Sequence, residues 1–120
     1  PAYWRVFYVF GSLWWCWWNC FNDRYTEVLP AEIERFALEP IGRGMRQIAS
    51  LTGMNFFSSE IAQDAAGEFV WIDYVNDQCH MLTQSANPRM GVPDRVVEAI
   101  ATRLVEAIAD LLRRPSARAA

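Results

Sequence analysis

Apolar residues change their spacing along this chain, and the changes predict where strands and helices lie. The run from Tyr3 to Phe10 is rich in aromatic and β-branched residues and has no helical period, which favours a strand. Gly11-Ser12 predicts a tight turn, and Leu13 to Trp18 then returns as the second arm of a hairpin. The chain therefore opens with a predicted β-hairpin.

A second hairpin and several helices account for most of the remaining chain. Its strands are predicted at Met54 to Ile61 and Glu68 to Val75. Apolar residues recur every three to four positions from Gly42 to Leu51 and, most clearly, from Pro93 to Arg114, which predicts two helices. A shorter helical segment is expected at Ala31 to Leu38. Hairpins separated from helices indicate an α+β fold, an antiparallel β-sheet of two hairpins with helices packed on one face.

Length and charge narrow the classes of function. The 120 residues suit one domain, expected to span residues 1–115 with a disordered tail at 116–120. A net charge of −3 and the absence of lysine among the 11 basic residues argue against nucleic-acid binding. No apolar run approaches the about 18 residues of a membrane span. Because the first residue is proline, we expect a piece of a longer chain or a processed product.

The three cysteines and the single histidine are more typical of packing than of a disulfide, a metal site or catalysis. Cys16 and Cys20 would lie about 13 Å apart along a strand, whereas a disulfide needs Cα atoms within about 7 Å. We therefore expect small buried residues in a reducing cytoplasm. Two alternatives stay open: a metal site formed by all three cysteines with His80, and a catalytic pair of Cys79 with His80.

The second hairpin carries the most informative polar residues. If Ala66-Gly67 is a two-residue turn, Glu60 faces Asp73 with Cβ atoms about 5 Å apart. Like charges in such a pair need a shared proton, an arginine or a cation to compensate. With the amide oxygen of Asn76 they form an all-oxygen set that suits Mg²⁺. The alternative is a solvent-facing hairpin with scattered acidic residues.

Taken in order, these segments resemble the C-terminal, metal-binding part of bacterial ATP-grasp enzymes. The resemblance rests on Tyr3 to Gly11, on the helix that ends in Thr52-Gly53-Met54, on Phe57 to Ala62, and on Phe69 to Asp77. In that superfamily an acidic residue on one strand and an acidic-x-Asn element on the next hold the Mg²⁺ ions of ATP. The resemblance thus covers most of residues 3–76.

The resemblance implies a function and a role for each matching residue. Glu60, Asp73 and Asn76 would bind Mg²⁺ or Mn²⁺, while Arg5, Glu60 and Asp73 would contact ATP. Arg5 would also act catalytically on the transferring phosphate or on the substrate. The enzyme would be a cytoplasmic ATP-dependent ligase that joins a small carboxylate to an amine or thiol through an acylphosphate. Its lysines and glycine-rich loop would lie in an upstream subdomain, so the isolated piece is expected to be inactive.

One departure from the family pattern concerns Asn76. Two residues, Tyr74 and Val75, separate it from Asp73, where the usual element has one. In a regular strand Asp73 and Asn76 would therefore point to opposite faces. We expect either a β-bulge or the end of the strand to turn Asn76 towards the metal, or only one of the two to be a ligand.

The tryptophan cluster supports a competing hypothesis. Trp14, Trp15, Trp17 and Trp18 could form the platform of a non-catalytic, aromatic-rich binding module. Consecutive residues of a strand point to both faces, however, so at least half of these rings should lie in a core. The same surface could instead bury against the rest of the parent protein, or form a homodimer of the isolated piece.

Overall fold

The structure, a computed structural model, describes residues 2–115. Within them lie five strands and three helices, in the order β1 (Ala2–Val9), β2 (Ser12–Asn19), β3 (Arg24–Glu27), α1 (Pro30–Arg35), α2 (Glu39–Thr52), β4 (Phe56–Gln63), β5 (Phe69–Asn76) and α3 (Asp94–Arg113). The strands form one antiparallel sheet in the order β3-β2-β1-β4-β5. The predicted α+β class with an antiparallel sheet of two hairpins is confirmed. The expected tail at 116–120 lies outside the described residues.

The first hairpin closes one residue earlier than predicted. Val9 pairs with Ser12, so the two turn residues are Phe10 and Gly11 rather than Gly11-Ser12. Both have positive φ, 45° and 88°, as in the type I′ turn that suits the twist of paired strands. From there the register runs without interruption to Trp4 opposite Trp17.

The helices cover both faces of the sheet, and the prediction that they pack on one face was wrong. Trp4 and Val6 pack with Met45 of α2 in one core, whereas Phe7 packs with Ile100 of α3 in a second core. The physical reason lies in β1, where neighbouring residues are apolar and point to opposite sides. Both faces therefore had to be covered.

Two short elements differ from the sequence expectations. The strand β3 was not predicted, because its four residues Arg24–Glu27 follow a polar turn and carry little apolar signal. Helix α2 begins at Glu39, before the predicted Gly42, since Pro40 fits the first turn of a helix. It ends as expected at Gly53, which adopts the left-handed conformation with φ of 71°.

Residues 77–93, between β5 and α3, form an ordered loop on the α3 side of the sheet. Thr83 and Val92 form a parallel bridge across its base. The Gln84 side chain donates a hydrogen bond to the Tyr25 carbonyl of β3, and Asp94 accepts one from the Ser85 amide. The loop is thus tied both to the edge of the sheet and to the start of α3. None of the helices in residues 2–115 is long and apolar enough to cross a membrane.

Candidate functional site

A cleft of about 290 Å³ opens on the α3 side of the sheet. Strand residues that point to this side form its floor, and the loop 77–93 forms one wall. The lining residues are Arg5, Phe7, Trp18, Asp23, Tyr25, Glu60, His80, Met90 and Val92. The cleft therefore joins four strands of the sheet, β1 to β4, to a loop that follows them in sequence.

Arg5 lies on the cleft floor and makes several polar contacts. It pairs with Glu60 across β1 and β4, and the two side chains form an ion pair. Its Nη1 donates to Ser58 Oγ at 3.5 Å, and its guanidinium carbon lies 5.8 Å from the centre of the Tyr25 ring. Arg5 Nε is buried and has no hydrogen-bond partner within residues 2–115. One donor of the guanidinium therefore remains unused inside the protein.

Glu60 lies opposite Asp73, as the sequence predicted, although the register arises differently. The β4–β5 ladder begins at Gln63 opposite Phe69, after a longer connection than the two-residue turn that was expected. Asp64 orders this connection by accepting the backbone N–H groups of Ala66 and Glu68, both at 2.9 Å. A register shift between Ile61 and Glu60 then brings Glu60 opposite Asp73.

A second register shift determines where Asn76 lies. It falls between Glu60 and Ser58, and it sets Ser58 opposite Asn76. Ser58 and Glu60 are two residues apart in β4 and share a face, so their partners Asp73 and Asn76 share it too. The extra residue of the motif is thus absorbed by a bulged strand, the first of the alternatives that the sequence left open.

The four predicted site residues consequently lie on one face of three adjacent strands, but only two of them line the cleft. Arg5 and Glu60 do so, whereas Asp73 and Asn76 lie beside it on the edge strand β5. Asn76 Oδ1 accepts the backbone N–H of Gln78 at 3.2 Å. Within residues 2–115 no group of three or more His, Cys, Asp or Glu side chains is close enough to hold a metal ion.

This donor set nevertheless has the chemistry that magnesium requires. Glu60 and Asp73 supply carboxylate oxygens from facing positions, and Asn76 supplies an amide oxygen on the same face. Mg²⁺ typically binds proteins through only one or two carboxylates and takes its other ligands from water and phosphate. The residues present therefore fit such an ion. The buried Arg5 Nε adds an unused donor beside them.

Burial keeps the neighbouring thiols and phenol in their neutral forms. It raises the pKa of Cys16 to about 12, an effect that the nearby Glu27 strengthens and Arg5 opposes. Burial also raises the pKa of Tyr25 and of Cys79. Cys79 donates to the Asn76 carbonyl at 3.3 Å. A thiol with a raised pKa is a poor nucleophile, so the geometry favours a packing role for Cys79 over a catalytic pair with His80.

The tryptophans do not form a common platform. Trp15 and Trp17 pack against the core beneath α1 and α2, whereas Trp14 packs against the α3 side. Trp17 also donates its indole N–H to Glu32 of α1 at 3.2 Å. Trp18 is the member of the cluster that lines the cleft. The expectation that at least half of these rings belong to a core agrees with this arrangement.

Several residues of the cleft escaped the sequence analysis. Asp23 comes from the turn before β3, Tyr25 from the short strand that was not predicted, and Met90 from the loop. The alternation of polar residues with Tyr25 in β3 was the one available signal, and four residues are too few to establish it.

Comparison with known proteins adds no relative. No protein-family model matches the chain, and no curated protein is significantly similar to it. The likeness to ATP-grasp enzymes therefore rests on the residues described above.

Proposed function

We propose that this chain forms the magnesium-and-phosphate part of the Mg·ATP site of an ATP-grasp enzyme, an ATP-dependent ligase that activates a carboxylate as an acylphosphate. One observation carries the proposal. The four residues singled out in the sequence, Arg5, Glu60, Asp73 and Asn76, share one face of the sheet, and Arg5 contacts Glu60 directly.

Each residue has a definite part in this proposal. Glu60, Asp73 and Asn76 would hold Mg²⁺ or Mn²⁺, which supplies positive charge against the phosphate oxygens. Arg5 would bind an oxygen of the transferring phosphate or of the substrate carboxylate, since its guanidinium offers five N–H donors. Glu60 would also hold Arg5 in position through their ion pair. The raised pKa of Tyr25 would keep a neutral phenol beside that cation.

The remaining parts of an ATP site would come from other residues of the parent protein. The sequence has no lysine, and ATP-grasp enzymes hold nucleotide phosphates with lysines and a glycine-rich loop. The 120-residue chain alone is therefore expected to bind Mg·ATP weakly or not at all, and to catalyse nothing. A reducing cytoplasm suits its three free cysteines.

Binding of Mn²⁺ to the 120-residue chain tests the metal part of this proposal without nucleotide. Paramagnetic broadening of backbone amide signals should concentrate in β4 and β5 near Glu60 and Asp73. Glu60→Gln and Asp73→Asn should each weaken Mn²⁺ binding about tenfold or more, because each removes one of two anionic ligands. Glu68→Gln is the matched control, since Glu68 is an exposed acidic residue of the same hairpin. Unchanged affinity in both site variants would sink the proposal.

A further inference from the structure

The cleft extends beyond the proposed phosphate site to an aromatic and apolar wall. Trp18 and Tyr25 contribute rings from paired positions of β2 and β3, and Met90 faces them from the loop. The volume of about 290 Å³ is at the lower end for small-molecule sites, so the cleft suits a ligand about the size of a single aromatic ring with a short substituent. A wall of this kind favours a ligand with a flat apolar surface.

The charges around the cleft favour a cation in its outer part. Arg5 is compensated by Glu60 on the cleft floor. Asp23 at the rim has Arg89 as its partner at 3.6 Å, and the Arg89 side chain is 74% exposed. Such an exposed ion pair contributes little, so a bound cation could replace Arg89 at small cost. Tryptophan and tyrosine faces also attract cations.

We propose that the outer part of the cleft binds a protonated amine carried on an apolar or aromatic body. The ammonium group would contact Asp23, and the body would lie against Trp18 and Met90. Its identification as the amine substrate of a carboxylate–amine ligase rests on the proposed function. The binding site itself does not, because none of these residues belongs to the proposed metal site.

The test is titration of the 120-residue chain with 2-phenylethylamine, followed by NMR in the absence of nucleotide and divalent metal. The backbone amide signals of Trp18 and Tyr25 and the indole N–H signal of Trp18 should shift. The acid of similar shape, 3-phenylpropanoate, should bind at least about tenfold more weakly because it presents an anion to Asp23.

Two variants with matched controls examine the two parts of the site. Asp23→Asn should weaken amine binding about tenfold through loss of the charged hydrogen bond. The fold should tolerate this change, since Asp23 has a φ of 60°, a conformation that asparagine adopts readily. Trp18→Leu should weaken binding severalfold through loss of the ring face. Asp110→Asn and Phe21→Leu, at exposed positions outside the cleft, should leave binding unchanged.

The outcomes separate this inference from the proposed function. Amine binding that is unaffected by both Asp23→Asn and Trp18→Leu would overturn the inference, as would equal or tighter binding of 3-phenylpropanoate. Amine binding that depends on Asp23, combined with Mn²⁺ binding that is unchanged by substitution of Glu60 and Asp73, would support the amine site while rejecting the metal site. Mn²⁺ binding that depends on Glu60 and Asp73, combined with amine binding that does not depend on Asp23 or Trp18, would reject the amine site alone.

Discussion

The two hairpins of the sheet differ in the regularity of their strand pairing. The regular hairpin contributes mainly apolar residues to the cores, and the irregular one carries the polar residues of the candidate metal site. The β1–β2 ladder keeps one register from the type I′ turn to Trp4, and it supplies apolar side chains to both cores. The β4–β5 ladder shifts register twice and carries Glu60, Asp73 and Asn76. Regular pairing distributes side chains evenly between two faces, whereas bulges can collect chosen side chains on one face. The irregular hairpin is therefore the one that gathers polar groups.

The largest expected effect comes from the regular hairpin. Trp4→Ala should destabilise the protein by about 3–5 kcal/mol, because it empties a large, fully buried site beneath α2. Trp18→Ala, on the same hairpin but half-buried at the cleft, should cost clearly less. Urea unfolding followed by circular dichroism measures both. Equal losses would contradict the division of this hairpin between a buried face beneath α2 and a partly open face at the cleft.

Removing the carboxylate of Glu60 should have a smaller effect. Glu60→Gln leaves the Arg5 cation, 13% exposed, without its counterion, and the expected cost is about 2 kcal/mol. The double variant Arg5→Met/Glu60→Gln should recover part of this loss, since it removes the unpaired charge as well. Urea unfolding of Arg5→Met, Glu60→Gln and the double variant gives the coupling energy directly. Additive losses would show that the ion pair contributes nothing.

Gly44→Ala examines how closely β5 packs against α2. A Cβ at Gly44 would lie 2.5 Å from ring atoms of Trp71, so we expect a loss of about 1–2 kcal/mol despite the better helix propensity of alanine. Gly42→Ala on the same helix is the control, because its Cβ would have neighbours no closer than 3.4 Å. Thermal unfolding of the two variants compares them. A stabilised Gly44→Ala would mean that the bulged strand moves away from α2 without cost.

The sequence predicted the members of the candidate site better than it predicted their surroundings. Glu60 and Asp73 were paired correctly, but a turn that is longer than expected and a compensating bulge produced that agreement. Bulges depend on contacts with neighbouring strands, so a two-residue periodicity does not reveal them. Asp23 and Tyr25 were missed because the short strand β3 was not predicted, so its position in the sheet next to β2 could not be inferred.

The position of the helices was missed for a related reason. Helices α2 and α3 were each recognised from an apolar stripe, and a stripe does not say which face of a sheet it covers. The consecutive apolar residues Val6 and Phe7 of β1 carried that information, since they lie in different cores. Local patterns thus identified the elements and several polar residues, while the two-sided core and the cleft emerged only from tertiary packing.

The smallest expected effect is a pH dependence that arises from Cys16, buried in the regular hairpin beside Arg5. Its thiol pKa is about 12 in the folded protein, against 9.0 for a free thiol. Above pH 9 the unfolded chain loses this proton first, so the folded state binds more protons and its stability falls as the pH rises towards 12. At one pH unit above the free-thiol value the loss is at most about 1.4 kcal/mol.

Cys16→Ala should remove this component while keeping the response of Tyr25 and other groups, and urea unfolding between neutral and alkaline pH measures the difference. Parallel pH profiles for the wild type and the variant would mean that the thiol is open to solvent, and that the regular hairpin is covered less tightly by α3 than its packing implies.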